Sequence, residues 1–290
     1  MSLPGVARSE TVTAHPYPGV TTTRLLETAP RNFTARIVEI DLATPGLRFH
    51  LTPPGGTRET VRQTTLEFLR QEKAQFAINA HFFLPYPSAE PDANLIGLAV
   101  SDGILVSEFQ APAQAYALVA DAPAINVDRA NHATVVRPGD PRASLWNTVA
   151  GSAQIVTHGQ VTIPAYKDQQ NPGGTLATGG PGNYTNSHSW YEVPQARTAA
   201  GIAAGGRKLV LFVVDRAAGS QGLSVSEVAT LLASRFQVDD ALNLDGGGST
   251  TLAMEDPVTH ATAIVNTSSD NPKGRSVGSN LAIFVPAGTR

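Results

Sequence analysis

Glycine and proline fill 47 of the 290 positions, 26 and 21 respectively, and that density limits what the chain can build. Glycine loses the most backbone entropy on ordering, and proline cannot donate to a helix or a sheet ladder. Many tight turns and short strands are therefore expected. The length suffices for a core without staples, and 41% apolar against 16% charged residues describes a globular chain. The fold class read from this is α+β, a strand-rich mixed sheet core with a few helices in a single domain.

Charge and cysteine content remove whole classes of function. Lys and Arg number 21 against 24 Asp and Glu, a net charge of −3. With no basic field to hold a phosphate backbone, nucleic acid is excluded as a partner. The absence of cysteine excludes disulfides, thiolate metal sites, iron–sulfur clusters and a thiol nucleophile. No apolar run approaches the ~18 residues of a membrane span. The opening Met1-Ser2-Leu3-Pro4 lacks the basic and apolar regions of a signal peptide.

Pattern along the chain divides it into a lead-in with a first strand, 1–34, and a main domain, 35–290. Pro16-Tyr17-Pro18-Gly19 marks a turn, and Ala35 to Leu42 alternates as a half-buried strand. Leu47–Leu51 is expected as its hairpin return. Val61, Thr65, Phe68 and Leu69 predict a helix over 57–73, and Phe76–Asn79 a buried strand. Ser101-Asp102-Gly103 and His158-Gly159 mark hairpins. Residues 167–194 form a long polar loop, by its length a lid or binding loop or else a disordered segment. Lys208–Val214 predicts a strand ending at Asp215. Ser224-Val225-Ser226-Glu227 predicts a helix start with a capping box. Ala241–Leu244 is then a second strand, ending at Asp245.

Four places carry candidate chemistry. In Asn243-Leu244-Asp245-Gly246-Gly247-Gly248-Ser249-Thr250-Thr251, consecutive glycines after a strand can turn amide N–H groups toward one anion. No lysine follows, so this is not a Walker loop; as a plain turn, it would need only a capping Asp. Asn79-Ala80-His81-Phe82-Phe83 packs amide, imidazole and aromatic groups into five residues, a set suited to stacking on a sugar and bonding its hydroxyls. The competing reading is a strand end with a core Phe pair. Arg197 and Arg275 adjoin apolar strands, as surface charges or as forks for a phosphate. Asp215, Asn243 and Asp245 could hold Mg²⁺ or Ca²⁺, but no spacing demands a metal, and no cofactor is expected. Gly-x-Ser-x-Gly and His-Glu-x-x-His are absent, and Ser269-Asp270-Asn271 stands without its usual companions. Asn32, Asn183 and Asn266 open glycosylation sequons.

Taken in order, these segments resemble the phosphodiester glycosidase family over roughly 35–285. Ala77 to Phe83 stands where the family has Asn-Gly-Gly-Phe-Phe. Leu98–Val106 and Val149–Gly159 are similar to its hairpins, and Arg197-Thr198-Ala199-Ala200-Gly201 to its Arg-Thr segment. Leu209–Asp215, Gly222–Leu232 and Ala241–Ser249 are similar to its closing strand–helix–strand with Leu-Asp-Gly-Gly-Gly-Ser; Arg275 to Val285 is similar to its last strand. Two departures stand out: Ala80-His81 replaces Gly-Gly, and Asp215-Arg216-Ala217 replaces Asp-Gly-Arg.

The resemblance implies a single catalytic domain that cleaves the anomeric C–O bond of a sugar 1-phosphodiester, such as an N-acetylglucosamine 1-phosphodiester, releasing free sugar. Asp245 is then the catalytic carboxylate and Asp215 the second. Gly246, Gly247, Gly248, Ser249 and Arg197 or Arg275 neutralise the phosphate, while Asn79, His81, Phe83 and Asn243 hold the sugar. The partner is a carbohydrate or sugar phosphate. The location implied is secreted or periplasmic in a bacterium, with the cytoplasm left open. Rival readings are a glycosidase of neutral exopolysaccharide or cell-wall glycan, and a non-catalytic glycan-binding module.

Overall fold

The alternating segment at 35–42 becomes the strand Phe33–Asp41 in a computed structural model. The structure describes residues 9–110, 122–142, 144–163, 193–267 and 273–286. That strand belongs to an eight-stranded sheet. Its order runs Glu10–Tyr17, Val20–Glu27, Phe33–Asp41, Lys208–Val214, Arg197–Ala203, Val238–Asn243, Ala153–Thr157, Gln160–Val161. The neighbouring pairs in it are antiparallel. A second sheet joins Thr262–Ile264, Leu252–Glu255, Phe76–Asn79, Asn280–Phe284 and Arg48–Leu51; a third joins Ile104–Ser107, Ala99–Ser101, Asn147–Ala150, Ala124–Val127 and Ala133–Val136.

The period of two sorts side chains into layers. Along Lys208–Val214, Leu209, Leu211 and Val213 enter the large inter-sheet core, where Val38, Ile40, Phe76, Ile78, Leu281 and Ile283 meet them. Val210, Phe212 and Val214 face the other way, onto helix α2 (Val225–Arg235) through Val228 and Leu232. The second sheet repeats the device. Ala77, Ala253 and Ala282 turn away from the core, and their small side chains let helix α1 (Thr65–Glu72) seat Phe68 and Leu69 on them. The result is helix, sheet, sheet, helix, with the third sheet contributing Val106, Ile125 and Val149 to the inter-sheet core.

Local signals hold where backbone chemistry decides. Asp102 and Gly103 (φ 47° and 81°) and His158 and Gly159 (φ 49° and 74°) all take positive φ, as a two-residue hairpin turn requires. Ser224 and Glu227 make the expected reciprocal cap of α2.

Long-range competition overturns other expectations. Leu47–Leu51 is not a hairpin return, because both edges of Phe33–Asp41 are already occupied. Arg48–Leu51 pairs instead with Asn280–Phe284. The helix expected from 57 starts only at Thr65, capped by Thr64 and Glu67. Thr60–Val61 and Gln63–Thr64 instead form short ladders with Asp92–Ala93 and Ser276–Val277, and Val61 is exposed. The 1–34 segment supplies the hairpin Glu10–Tyr17 and Val20–Glu27, hydrogen-bonded into the main sheet. The polar loop expected at 167–194 lies almost wholly outside the described residues.

Phe212 is fully buried between the sheet and α2. We expect Phe212→Ala to cost about 3–5 kcal/mol, transfer and cavity together, read as a lower urea midpoint at unchanged slope.

Candidate active site

Lys208–Val214 and Val238–Asn243 run in the same direction because each pairs antiparallel with Arg197–Ala203 between them. Their C-terminal ends therefore open at one end of the sheet, and Asp215 and Asp245 follow them directly. Past Asn243, the Leu244 amide still donates to Thr198 O at 2.9 Å, and the Asp245 amide donates across to Ala80 O of the second sheet's end at 3.1 Å. The glycine turn then folds tightly. A side chain on Gly246 would meet Ala196 O at 3.0 Å, and Gly247 takes φ +61°. The amides of Gly247, Ser249 and Thr250 donate to Ala196, Gly246 and Gly247 carbonyls at 2.9–3.2 Å, so they hold the turn together. As an anion nest the turn is incomplete, since these amides are already engaged.

What the turn does present is oxygen. Asn243 Oδ1, Asp245 Oδ2, Thr250 Oγ1 and Thr251 Oγ1 are buried without a protein partner, and among the described residues no other buried side-chain polar atom lacks one. Each such atom costs about 1–3 kcal/mol if left dry. Four within nine residues form a cluster of acceptors that water or the polar groups of a ligand can complete.

Asp245 is the titratable member. Burial pushes its carboxyl up to about 7, although the Ser249 hydroxyl, the Arg275 charge and the Gly246 amide all pull the other way. Arg275 Nη1 donates to Ser249 Oγ at 3.3 Å, and its guanidinium lies 4.7 Å from the centre of the Tyr86 ring. Asp245, Ser249 and Arg275 are thus one chain of charge and hydroxyl.

The other sequence-derived candidates divide. Asn79 lies beneath the turn: Nδ2 donates to Asp245 O at 2.6 Å, while Oδ1 accepts from Thr198 Oγ1 at 2.9 Å and Thr251 N at 3.0 Å. These bonds occupy its amide as a brace. His81 is wholly buried. Its Nδ1 meets Ser279 Oγ at 2.9 Å, and its Nε2 lies 3.0 Å from Ala150 N and 3.1 Å from Leu98 O. Burial pulls its pKa down to about 4, so it is neutral. Phe83 is buried in the core beneath the Arg62 guanidinium. Arg197 is 3% exposed and donates to Leu223 and Val193 carbonyls at 3.2 and 2.8 Å. Asn243 Nδ2 is held by Ser152 Oγ at 2.9 Å, which aims its unpartnered Oδ1.

Asp215 is buried and bolted on both oxygens. Oδ1 accepts from Asn266 Nδ2 at 3.0 Å and Thr267 N at 2.9 Å, and Oδ2 from Arg36 Nη1 at 3.4 Å. Burial outweighs these bonds and raises its pKa. Asn266 also donates to Thr250 O at 3.0 Å and accepts from Leu252 N at 2.7 Å, so Asp215 reaches the turn only through it. In sequence Asn266 shows only a sequon; its buried, occupied amide contradicts use as a glycan acceptor. Arg36 and Ser152 carried no signal, since each acts through register across strands, and Thr198 stood out only as part of the Arg-Thr segment. Tyr86, between Pro85 and Pro87, gave none either. Among the described residues no three acidic or imidazole side chains converge as metal ligands.

The buried carboxyl of Asp245 links stability to pH. An acid with a folded pKa near 7 against 3.8 unfolded makes the native state bind more protons in that window. Its contribution to stability therefore falls as pH rises from about 4 to about 7, by about 1.4 kcal/mol for each pH unit crossed. We expect Asp245→Asn to remove that loss: the signed change in melting temperature from pH 5 to pH 8 should be more positive in the variant than in the parent. His81 contributes the opposite slope to both proteins and cancels in the comparison.

Among the described residues, no helix is long and apolar enough to cross a membrane. A search of curated protein sequences finds no match. Among solved structures, the chain is similar to the catalytic domain of zebrafish N-acetylglucosamine-1-phosphodiester alpha-N-acetylglucosaminidase, auto-inhibited by its pro-peptide. The TM-score is 0.64 at 20% identity, covering 96% of this chain and 88% of that one. A hypothetical protein from Synechocystis gives 0.65 at 14%, covering 98% and 69%. A candidate exported protein of Burkholderia pseudomallei gives 0.64 at 15%, covering 97% of both. The phosphodiester glycosidase model matches residues 72–284, a span that runs from the end of α1 through the Asp245 turn to the last strand. This chain belongs to the phosphodiester glycosidase family, as a hydrolase that acts on phosphodiester-linked sugar.

Proposed function

We propose that the enzyme hydrolyses an α-linked sugar 1-phosphodiester, of the N-acetylglucosamine class, at the anomeric carbon. The observation that carries this reading is the Asp245 turn: one buried carboxyl oxygen and three neutral oxygens without protein partners, beside a guanidinium. The neutral oxygens of Asn243, Thr250 and Thr251 suit sugar hydroxyls, and Arg275 suits the diester's single negative charge.

In this scheme water adds to C1, the C1–O bond breaks, and the phosphomonoester leaves with the bonding electrons. A phosphate needs no proton to depart, so the working form of Asp245 is the carboxylate. It serves C1 either as base toward water or as nucleophile followed by water; both routes put the water oxygen into the sugar. Arg275 neutralises charge as it gathers on the leaving group. Asp215, Asn79 and His81 hold the turn in place without touching substrate. We read the protein as a bacterial secreted or periplasmic enzyme.

Two measurements test this. In ¹⁸O-water the free sugar should carry the label and the phosphate none; label in phosphate would mean P–O cleavage and overturn the scheme. The rate should climb as pH rises through about 7, the value toward which burial pushes Asp245, and Asp245→Asn should lose at least ~100-fold in kcat. A glycosidase of neutral glycans needs the protonated acid instead, so a rate that falls across the same pH range would favour that chemistry.

A further inference from the structure

We infer that Tyr86 and the outer side of Arg275 form a subsite for the second alcohol of the diester, and that this alcohol carries a ring. The inference rests on the reading above, in which the sugar reaches Asp245 and the phosphate meets Arg275. A diester has two ester arms. The arm being cleaved must place its carbon at the buried end, where Thr250 and Thr251 are fully buried and Asp245 is 8% exposed. The other arm can only lead outward.

The chain of contacts leads outward with it. Asp245 is bonded to the Ser249 hydroxyl, Ser249 to Arg275, and Arg275 stacks on Tyr86. Tyr86 is 49% exposed and, among the described residues, is the aromatic member of the exposed large hydrophobic side chains. An aromatic face left half in water beside a phosphate-binding guanidinium is a platform with a polar end and an apolar end.

This platform is held rigidly. Tyr86 meets Phe83 edge to face, ring centres 6.0 Å apart. Arg62 lies over Phe83 at 4.9 Å and donates to Ser88 and Glu90 carbonyls at 3.0 and 3.1 Å. It also donates to Ser276 O, next to Arg275, at 3.1 and 3.3 Å. Arg62 thereby ties the Tyr86 segment to the Arg275 segment from below. The charges of Arg62 and Arg275 oppose each other, which an anionic substrate between the rim and the turn relieves.

The test compares two synthetic substrates of equal leaving-group chemistry: α-N-acetylglucosamine 1-(methyl phosphate) and 1-(benzyl phosphate). The parent enzyme should prefer the benzyl ester in kcat/KM. Tyr86→Ala should cut that preference about five- to tenfold, mainly through KM, and Tyr86→Phe should restore it, as expected for ring stacking. Melting temperature checks that the half-exposed position tolerates the change. An unaltered benzyl-to-methyl ratio in Tyr86→Ala, or no preference in the parent, overturns the subsite while leaving the catalytic reading intact. Full activity of Asp245→Asn on both esters, or no turnover of either by the parent, overturns the catalytic reading and the subsite with it.

Discussion

The side chain of Asn79 is the tie on which the rest of the site depends. It ends a strand of the second sheet, yet its amide bonds to Thr198 of the first sheet, to the Thr251 amide and to the Asp245 carbonyl. Apolar packing between two sheets is non-directional and tolerates sliding. Three bonds at one buried amide do not, and losing any of them strands a polar group in the core. The glycine turn is therefore registered against both sheets at once, and Asp245 inherits its position from that registration.

His81 extends the same device toward the third sheet. Its ring reaches Ser279, Leu98 and Ala150. Two residues beyond Ala150, Ser152 receives the Asn243 amide. An imidazole thus fills a place where the family has glycine, and its neutral form bonds backbone without bringing a charge into the core.

Buried charge is handled differently at the two carboxyls. Asp215 is surrounded by donors, and its burial is the expense of anchoring the 250–267 segment. Asp245 keeps one oxygen free of protein donors and sits near its own titration point. The unbonded oxygen of Asp245 is open to a partner from outside the protein, whereas both oxygens of Asp215 are taken.

Much was legible along the chain. The positive-φ hairpins, the capping box of α2, the buried strands before both aspartates and the Asp-Gly-Gly-Gly-Ser turn all follow from local backbone chemistry and a period of two. So did the placement of Asp245 at a strand end next to permissive glycines. Tertiary structure decided what those residues do. Asn79 and His81 read as sugar-binding groups, yet their side chains are bonded to protein groups that the fold brings from other strands and from the glycine turn. The glycine turn reads as a nest, yet the amides of Gly247, Ser249 and Thr250 are spent on backbone carbonyls. Asn266, Arg36 and Tyr86 were silent because the partners that tie them to the site, Asp215 for the first two and Arg275 for Tyr86, lie far along the chain. Local propensity acts within a few residues, whereas the partners of a buried polar group are set by which strands share a sheet. That is why the sequence alone could point to the buried carboxyl of Asp245 but not to the framework that holds it.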